Sequence, residues 1–504
     1  MKFRIILILF ITLLSNFSYT VTNTCENRFS FHLNENYPAK VIVISGLAYT
    51  SEDLKTMVLT IFKNQKENAP YIILLGVPIN PLIDWDQEIN QITDDLPLRD
   101  FYKQHLKEFH VSTTWAQDFF ESFYDSNEKI NFIRLVQGYK LSEQNHYKGY
   151  LKAQEVVSKQ LQEILGKKIR VTSPINNNNP LIASKNGHKG GNIESTNEGH
   201  CLIGDADLST QEWDTLSSQV CRDKKYAIKL PTSWLPANHA DELIRQLPSS
   251  VHTQNYCVAK FGIISLKKAL EILKLHENEL FWKITINESD SKKKIDLSES
   301  LRSICGYLNF KDHADSRIIK TTLDKVTGFD PIIPKEGYTS YTLPIRNQNV
   351  DDLFDRCLKI TNKEILDLYE NDERYKMAIE IVEDKIKLAK TAIVEKYQET
   401  NPECKVEFVD LPVLMSVNKA RYYSDEQKIS MIITRSDLLL PNPINSLQVG
   451  KQIFVPDTVN ERLKSYIYQA YKSNSLDPIF LDTFEIHNSG GNIHCSTQTV
   501  RDCL

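Results

Sequence analysis

A cysteine, a histidine and two aspartates stand in settings where reactive side chains are useful. Cys495 lies in the run Ile493-His494-Cys495-Ser496-Thr497-Gln498, directly after Gly490-Gly491-Asn492. A thiolate is a strong nucleophile, and a glycine pair lets the backbone approach a ligand closely. The same segment equally suits a disulfide with Cys503, or burial of the thiol as a small apolar group. Neighbouring residues of an extended chain face opposite ways, so the spacing predicts that His494 and Cys495 do not share a ligand and that the partner histidine comes from elsewhere. His239-Ala240-Asp241 supplies one. On an extended segment His239 and Asp241 share a face, and a histidine beside a carboxylate suits proton transfer. A surface histidine beside the acidic start of a helix is the plain alternative. Trp115-Ala116-Gln117-Asp118 brings an aromatic ring, an amide and a carboxylate together, or else is a core tryptophan near a capping aspartate. A second glycine pair, Gly190-Gly191, precedes Asn192-Ile193-Glu194. Neither pair has the spacing of a phosphate-binding loop.

The elements that must hold these residues alternate between strand and helix. Apolar runs at Val41 to Ile44, Tyr71 to Leu75, Ile169 to Val171, Tyr226 to Leu230, Ser430 to Ile433 and Ile453 to Val455 predict strands. Helical spacing predicts helices over 52–64, 148–165, 264–276 and 459–473. The class is α/β. A long charged helix is predicted from Asp372 to Thr400 and reads as a solvated surface helix. Residues 277–400, that helix included, read as a large insertion rather than a separate domain, because no Pro-, Ser- or Gly-rich linker marks a boundary.

Lys2 and Arg4 precede an apolar run from Ile5 to Leu14, and Ser18-Tyr19-Thr20 offers small residues for cleavage. This run of ten residues, apolar but for Thr12, is half of the roughly 20 needed to cross a bilayer, so residues 1–20 are expected to be a signal peptide. The expectation is a secreted or periplasmic protein without stable membrane insertion. With 60 Lys plus Arg against 65 Asp plus Glu the net charge is −5, which argues against nucleic acid as a partner. Nine cysteines are an odd number, so at least one is expected to stay unpaired unless chains are linked, and no C-x-x-C pair occurs.

Taken in chain order, Trp115-x-Gln-Asp118, Gly191-Asn-Ile-Glu194, His239-x-Asp241 and Gly491-Asn-Ile-His-Cys495 resemble the guanidino-group-modifying (pentein) superfamily. Ser233-Trp234-Leu235 ahead of His239 sharpens the resemblance to protein-arginine deiminases. Agmatine deiminases are the second resemblance, through Ile493 to Gln498, although Gln117 stands where their motif has an arginine. The resemblance implies a five-bladed α/β propeller over residues 21–504, without the N-terminal immunoglobulin-like domains of vertebrate protein-arginine deiminases.

It also implies a reaction: hydrolysis of an arginine side chain in a peptide or protein to citrulline and ammonia. Cys495 would be the nucleophile, and His239 the acid and base. Asp118 and Asp241 would clamp the planar, permanently charged guanidinium in paired hydrogen bonds, with Trp115 lining the substrate site. Gln117, Glu121 and Glu194 fall where the family has calcium ligands, an oxygen set suited to that ion. Phe119 stands where a neighbouring calcium site has a glutamate. Other readings are deimination of agmatine or another small guanidine, amidino transfer, non-catalytic guanidinium binding and a cysteine protease.

Overall fold

The computed structural model describes residues 35–76, 83–111, 116–117, 121–125, 130–134, 147–166, 169–172, 190–205, 208–221, 223–248, 252–253, 256–282, 359–424, 429–483, 486–487 and 491–501. The expected signal peptide, Gly490, Cys503 and residues 283–358 of the expected insertion lie outside them. The architecture is α/β.

The first helix shows why the local sequence folds as it does. α1 (Ser51–Gln65) starts at Thr50, whose side chain accepts from the Asp53 N–H at 3.1 Å. It buries Leu54, Met57, Val58, Ile61 and Phe62, the three-and-four spacing of one helix face. α1 joins β1 (Ala39–Ser45) to β2 (Tyr71–Leu75), which pair in parallel. Both strands are apolar at successive positions because both faces are covered. Ile42, Ile44, Ile72 and Leu74 enter one core and Val41, Val43, Ile73 and Leu75 another. α2 (Trp85–Ile92) and α3 (Leu96–His105) lead to β3 (Leu106–Phe109), parallel to β2.

The same three-strand pattern, one antiparallel pairing followed by a parallel one that a helix crosses over, recurs along the chain. β4 (Glu121–Asp125) pairs antiparallel with β5 (Ile130–Arg134), and α4 (Tyr147–Leu165) leads to the parallel β6 (Ile169–Thr172). β7 (Ile193–Ser195), β8 (Cys201–Gly204), α5 (Thr210–Val220) and β9 (Ala227–Leu230) repeat it. Next, β10 (Ile244–Leu247) and β12 (Tyr256–Ser265) are antiparallel, with β11 (His252–Thr253) folded back on β12, and β13 (Cys404–Pro412) lies parallel to β12. The crossover here is α6 (Leu266–Leu275), α7 (Asn362–Asn371) and α8 (Glu373–Thr400). After a hairpin of β14 (Met415–Ser424) and β15 (Ile429–Leu438), the pattern returns in β16 (Leu447–Val449), β17 (Gln452–Pro456), α9 (Glu461–Lys472) and β18 (Asp477–Leu481). The last strand, β19 (Thr497–Arg501), runs antiparallel to β1, so the end of the chain supplies the antiparallel member of the first unit.

α8 corrects one expectation. It is not a solvated surface helix: Tyr375, Ala378, Val382, Ile386, Ala389, Ile393 and Tyr397 are all buried, in the largest core, against β12, β13 and α6. The steps of three and four between them are those of one helix face, while charged residues fill the other. The apolar residues that stand off this stripe are the poorer guides, and Leu388 is 49% exposed. Placed between β12 and β13, the helix serves as a crossover connection and covers the sheet.

Two disulfides tie neighbouring parts of the frame. Cys201–Cys221 joins β8 to the end of α5, and Cys257–Cys404 bridges the adjacent strands β12 and β13. Among the described residues Cys495 belongs to neither disulfide. His200 docks α8 onto the β7–β8 unit. Its Nε2 lies 2.7 Å from Thr400 Oγ1 and its ring stacks on Tyr397 at 4.2 Å. Burial, with a smaller push from Lys396, moves this histidine down to about 4.

Two outcomes follow from α8. Ile393→Ala should lower stability by about 2–5 kcal/mol in urea unfolding, while Leu388→Ala changes it by no more than about 0.5 kcal/mol. The buried His200 binds its proton less readily than in the unfolded chain, so its contribution is complete above pH 6.5 and is lost as pH falls toward about 4. His200→Gln should therefore make stability less steep in that window by up to about 1.4 kcal/mol per pH unit, measured by thermal or denaturant melts across the acid range.

Candidate functional site

The described residues of the four motifs, together with one further loop, converge from one equivalent place in each repeated unit: the loop just before its first antiparallel strand. Gln117 precedes β4, Gly190–Asn192 precede β7, His239–Glu242 precede β10, Asn442–Ser446 precede β16, and the turn with Cys495 precedes β19. Trp115 and Asp118 lie outside the described residues, as does the side chain of Glu121.

Cys495 sits in a compact turn. The Ser496 N–H donates to the Asn492 and Ile493 carbonyls (3.2 Å each), and the Thr497 N–H to that of His494 (3.0 Å). The end of β1 braces it, with the Ser45 N–H donating to the Ser496 carbonyl (2.9 Å) and the Tyr49 hydroxyl 2.7 Å from Ser496 Oγ. Burial raises the Tyr49 hydroxyl above its ordinary range, so it remains a proton donor. The Gln117 N–H donates to the Cys495 carbonyl at 3.3 Å and thereby joins the second unit to the turn.

The loop ahead of β10 is fixed as firmly. Glu242 accepts from the N–H groups of Ala237 (2.9 Å) and His239 (3.3 Å), and its carbonyl accepts from Asn442 (2.7 Å). His239 is extended, and the chain then turns into a short 3-10 helix, Ala240–Glu242. It is this turn, not a shared strand face, that brings His239 and Asp241 into one place. One ligand atom from each of His239, Asp241 and Cys495 lies within 4.8 Å of the other two, and all three residues are buried. Cys495 Sγ is 3.4 Å from Asp241 Oδ2. Gly191 makes room for the set: a Cβ there would stand 2.6 Å from His239 Nδ1 and 3.1 Å from Asp241 Oδ2. Any side chain at 191 would displace the imidazole.

Asn445 is a member of the site that the sequence did not reveal. Its amide donates to Asp241 Oδ2 (2.8 Å) and to Cys495 Sγ (3.1 Å), and its oxygen accepts from the Cys495 N–H (3.2 Å). In the sequence it belongs to Asn442-Pro443-Ile444-Asn445, which reads as an ordinary turn. The usable signal is positional, since it lies just ahead of a first strand as the other site residues do.

His494 is the second. Expected to face away from Cys495, it instead meets the same carboxylate, because a turn does not alternate its side chains as a strand does. Its Nδ1 is 3.0 Å from Asp241 Oδ2 and 3.8 Å from Glu194 Oε1, and its Nε2 is 3.3 Å from Glu35 Oε1. Burial opposes a charge on this ring, but Glu35, Asp241 and Glu194 outweigh it and hold the histidine well above its ordinary range. Burial likewise works against the Glu35 carboxylate, and Arg245, His494 and Arg501 overcome it and hold the carboxyl well below its usual range. Burial brings Arg501 down to about 10, so it too remains a cation at neutral pH.

Gln117 and Glu194, two of the expected calcium ligands, are both buried and both face His494; the Gln117 amide lies 2.8 Å from its Nδ1. Glu194 faces the imidazolium, whereas Gln117 turns its amide nitrogen to the ring and leaves Oε1, the oxygen a calcium ion would take, buried without a hydrogen-bond partner among the described residues. The trio of His239, Asp241 and Cys495 does not fit a metal, despite its N, O and S donors. Asn445 and His494 point N–H groups at the Asp241 oxygen, and Asn445 at the sulfur. Those N–H groups engage Asp241 Oδ2 and the sulfur, two of the three donor atoms that a metal ion in the trio would share. The arrangement suits a nucleophile: a thiol held by a donor that favours its thiolate, beside an imidazole and a carboxylate.

No family model and no curated protein matches the chain. Solved structures do. An agmatine deiminase of C. jejuni is 11% identical, with 93% of this chain and 95% of that one covered and a TM-score of 0.40. An agmatine deiminase of Enterococcus faecalis is 10% identical, with 94% and 96% covered and a TM-score of 0.42. A provisionally named peptidyl-arginine deiminase is 12% identical, with 94% and 98% covered and a TM-score of 0.44. Likeness at this level assigns neither activity nor substrate.

Asn445→Ala removes a donor to the sulfur worth about 1–2 kcal/mol, and should raise the pH midpoint of Cys495 alkylation by iodoacetamide by about one unit. A folded variant with the wild-type alkylation profile would show that the amide does not act on the thiol.

Proposed function

We propose that the protein hydrolyses guanidinium groups, converting arginine residues of peptides or proteins to citrulline. The observation that carries the reading is the convergence of Cys495, His239 and Asp241 on one buried point, with residue types and order matching the four motifs. Asp241 and Asp118 pair with the guanidinium nitrogens, and Trp115 lines the substrate site. The Cys495 thiolate attacks the central carbon, and His239 protonates one amino group, which leaves as ammonia. The cysteine then carries a cationic thiouronium. His239 next takes a proton from water, hydroxide adds to the same carbon, and the C–S bond breaks to return the thiolate. The net change is guanidinium plus water to ureido plus ammonium.

The fold that goes with this reading is a five-bladed propeller. Its support is the pattern of five three-strand units, whose pre-strand loops all supply the site. The N-terminal run supports export. Agmatine in place of an arginine residue is the second reading, supported by the run Ile493 to Gln498. Calcium enters as a dependence to be measured.

Ammonia and ureido product should form from a blocked arginyl peptide, and Cys495→Ala should lower the rate by about a thousandfold or more. The assay is run with added calcium and with chelator, and over agmatine and free arginine. Turnover of agmatine but not of the peptide reassigns the substrate; no turnover of any guanidine, with or without calcium, ends the deiminase reading.

A further inference from the structure

The proposed mechanism assigns nothing to Glu35 or His494, yet both are buried beside the reacting groups. Asp241 Oδ2 takes hydrogen bonds from His494 Nδ1 at 3.0 Å and from Asn445 Nδ2 at 2.8 Å, which fixes the rotation of the carboxylate. Its other oxygen, Oδ1, is buried and has no hydrogen-bond partner among the described residues. The carboxylate is thus held by one oxygen and presents the other. His494 is in turn held through Nε2 by Glu35, 3.3 Å away. Glu35 cannot swing, because Arg245 grips one of its oxygens and Arg501 lies 3.5 Å from the other. Arg501 also donates to the carbonyls of Glu35, Tyr37 and Gln448 at 2.7–2.8 Å.

We propose that Glu35 and His494 are positioning residues: Glu35 orients His494, and His494 orients Asp241 so that Oδ1 is aimed at an N–H of the bound cation. The inference rests on the deiminase reading for the part Asp241 plays. A purely structural ion pair would hold the fold together without affecting how the site discriminates between a cation and a neutral molecule of the same shape.

Chloroacetamidine and chloroacetamide form such a pair, both alkylating Cys495, and the ratio of their rate constants is read by mass spectrometry near neutral pH. The wild type should prefer the cationic reagent. In His494→Asn the new amide nitrogen stands near the place of Nδ1 and still donates to Asp241, so the ratio should stay within about threefold. In His494→Gln the amide reaches toward Glu35 but not Asp241, and the ratio should fall about tenfold or more. A folded His494→Gln protein that keeps the wild-type ratio, or two variants that fall alike, overturns the proposal. Should neither variant fold, Glu35→Gln decides, with a fall of about threefold supporting the relay and an unchanged ratio overturning it. A wild type with no preference for the cation removes the deiminase reading and this inference with it; a preference that survives in the variants removes this inference alone.

Discussion

The neutralisation of Glu35 is the constraint to which the rest of the site answers. A buried carboxylate costs several kcal/mol unless cations and donors surround it. Here they come from three distant parts of the chain: Arg245 on β10, Arg501 on β19, and His494 in the turn that carries the cysteine. Satisfying one acid near the start of the described chain therefore fixes the last strand, the fourth unit and the turn with Cys495 relative to one another. The charges also balance. Glu35, Glu194 and Asp241 face two guanidiniums and one imidazolium, and Asp241 keeps one oxygen, Oδ1, outside these contacts.

This cluster sits where it does because of the repeated unit. Each antiparallel–parallel trio presents the loop before its first strand to the same place, and five such loops meet there. Apolar residues on both faces of β1 and β2, and the buried stripe of α8, make those strands rigid supports. Side chains on short turns anchored this way can be held to within a hydrogen bond's tolerance, which a longer free loop does not allow.

Legibility differed by the kind of interaction. Strands such as Tyr71–Leu75 and helices such as Tyr147–Leu165 were readable to within a residue, since local periodicity encodes which face is buried. The long helix was found but misjudged as solvated, because its many Lys and Glu residues mask a stripe that only the three-and-four spacing of Tyr375 to Tyr397 reveals. In the site, Cys495, His239 and Asp241 stood out by type and spacing. Asn445 and Glu35 did not, because an asparagine in a Pro-containing turn and a glutamate before the first strand look like surface residues.

By itself, then, the sequence determined the α/β class, the run of alternating elements and the three side chains able to do thiol, imidazole and carboxylate chemistry. Those follow from local composition and short spacings. Only the tertiary structure decided that His494 faces Asp241 rather than away from it, that an asparagine clamps the sulfur, and that Glu35 anchors His494. These are contacts between residues up to several hundred positions apart in the chain. No local pattern encodes them, because they arise from equivalent loops of separate units meeting at one point, where each buried charge must find its partner.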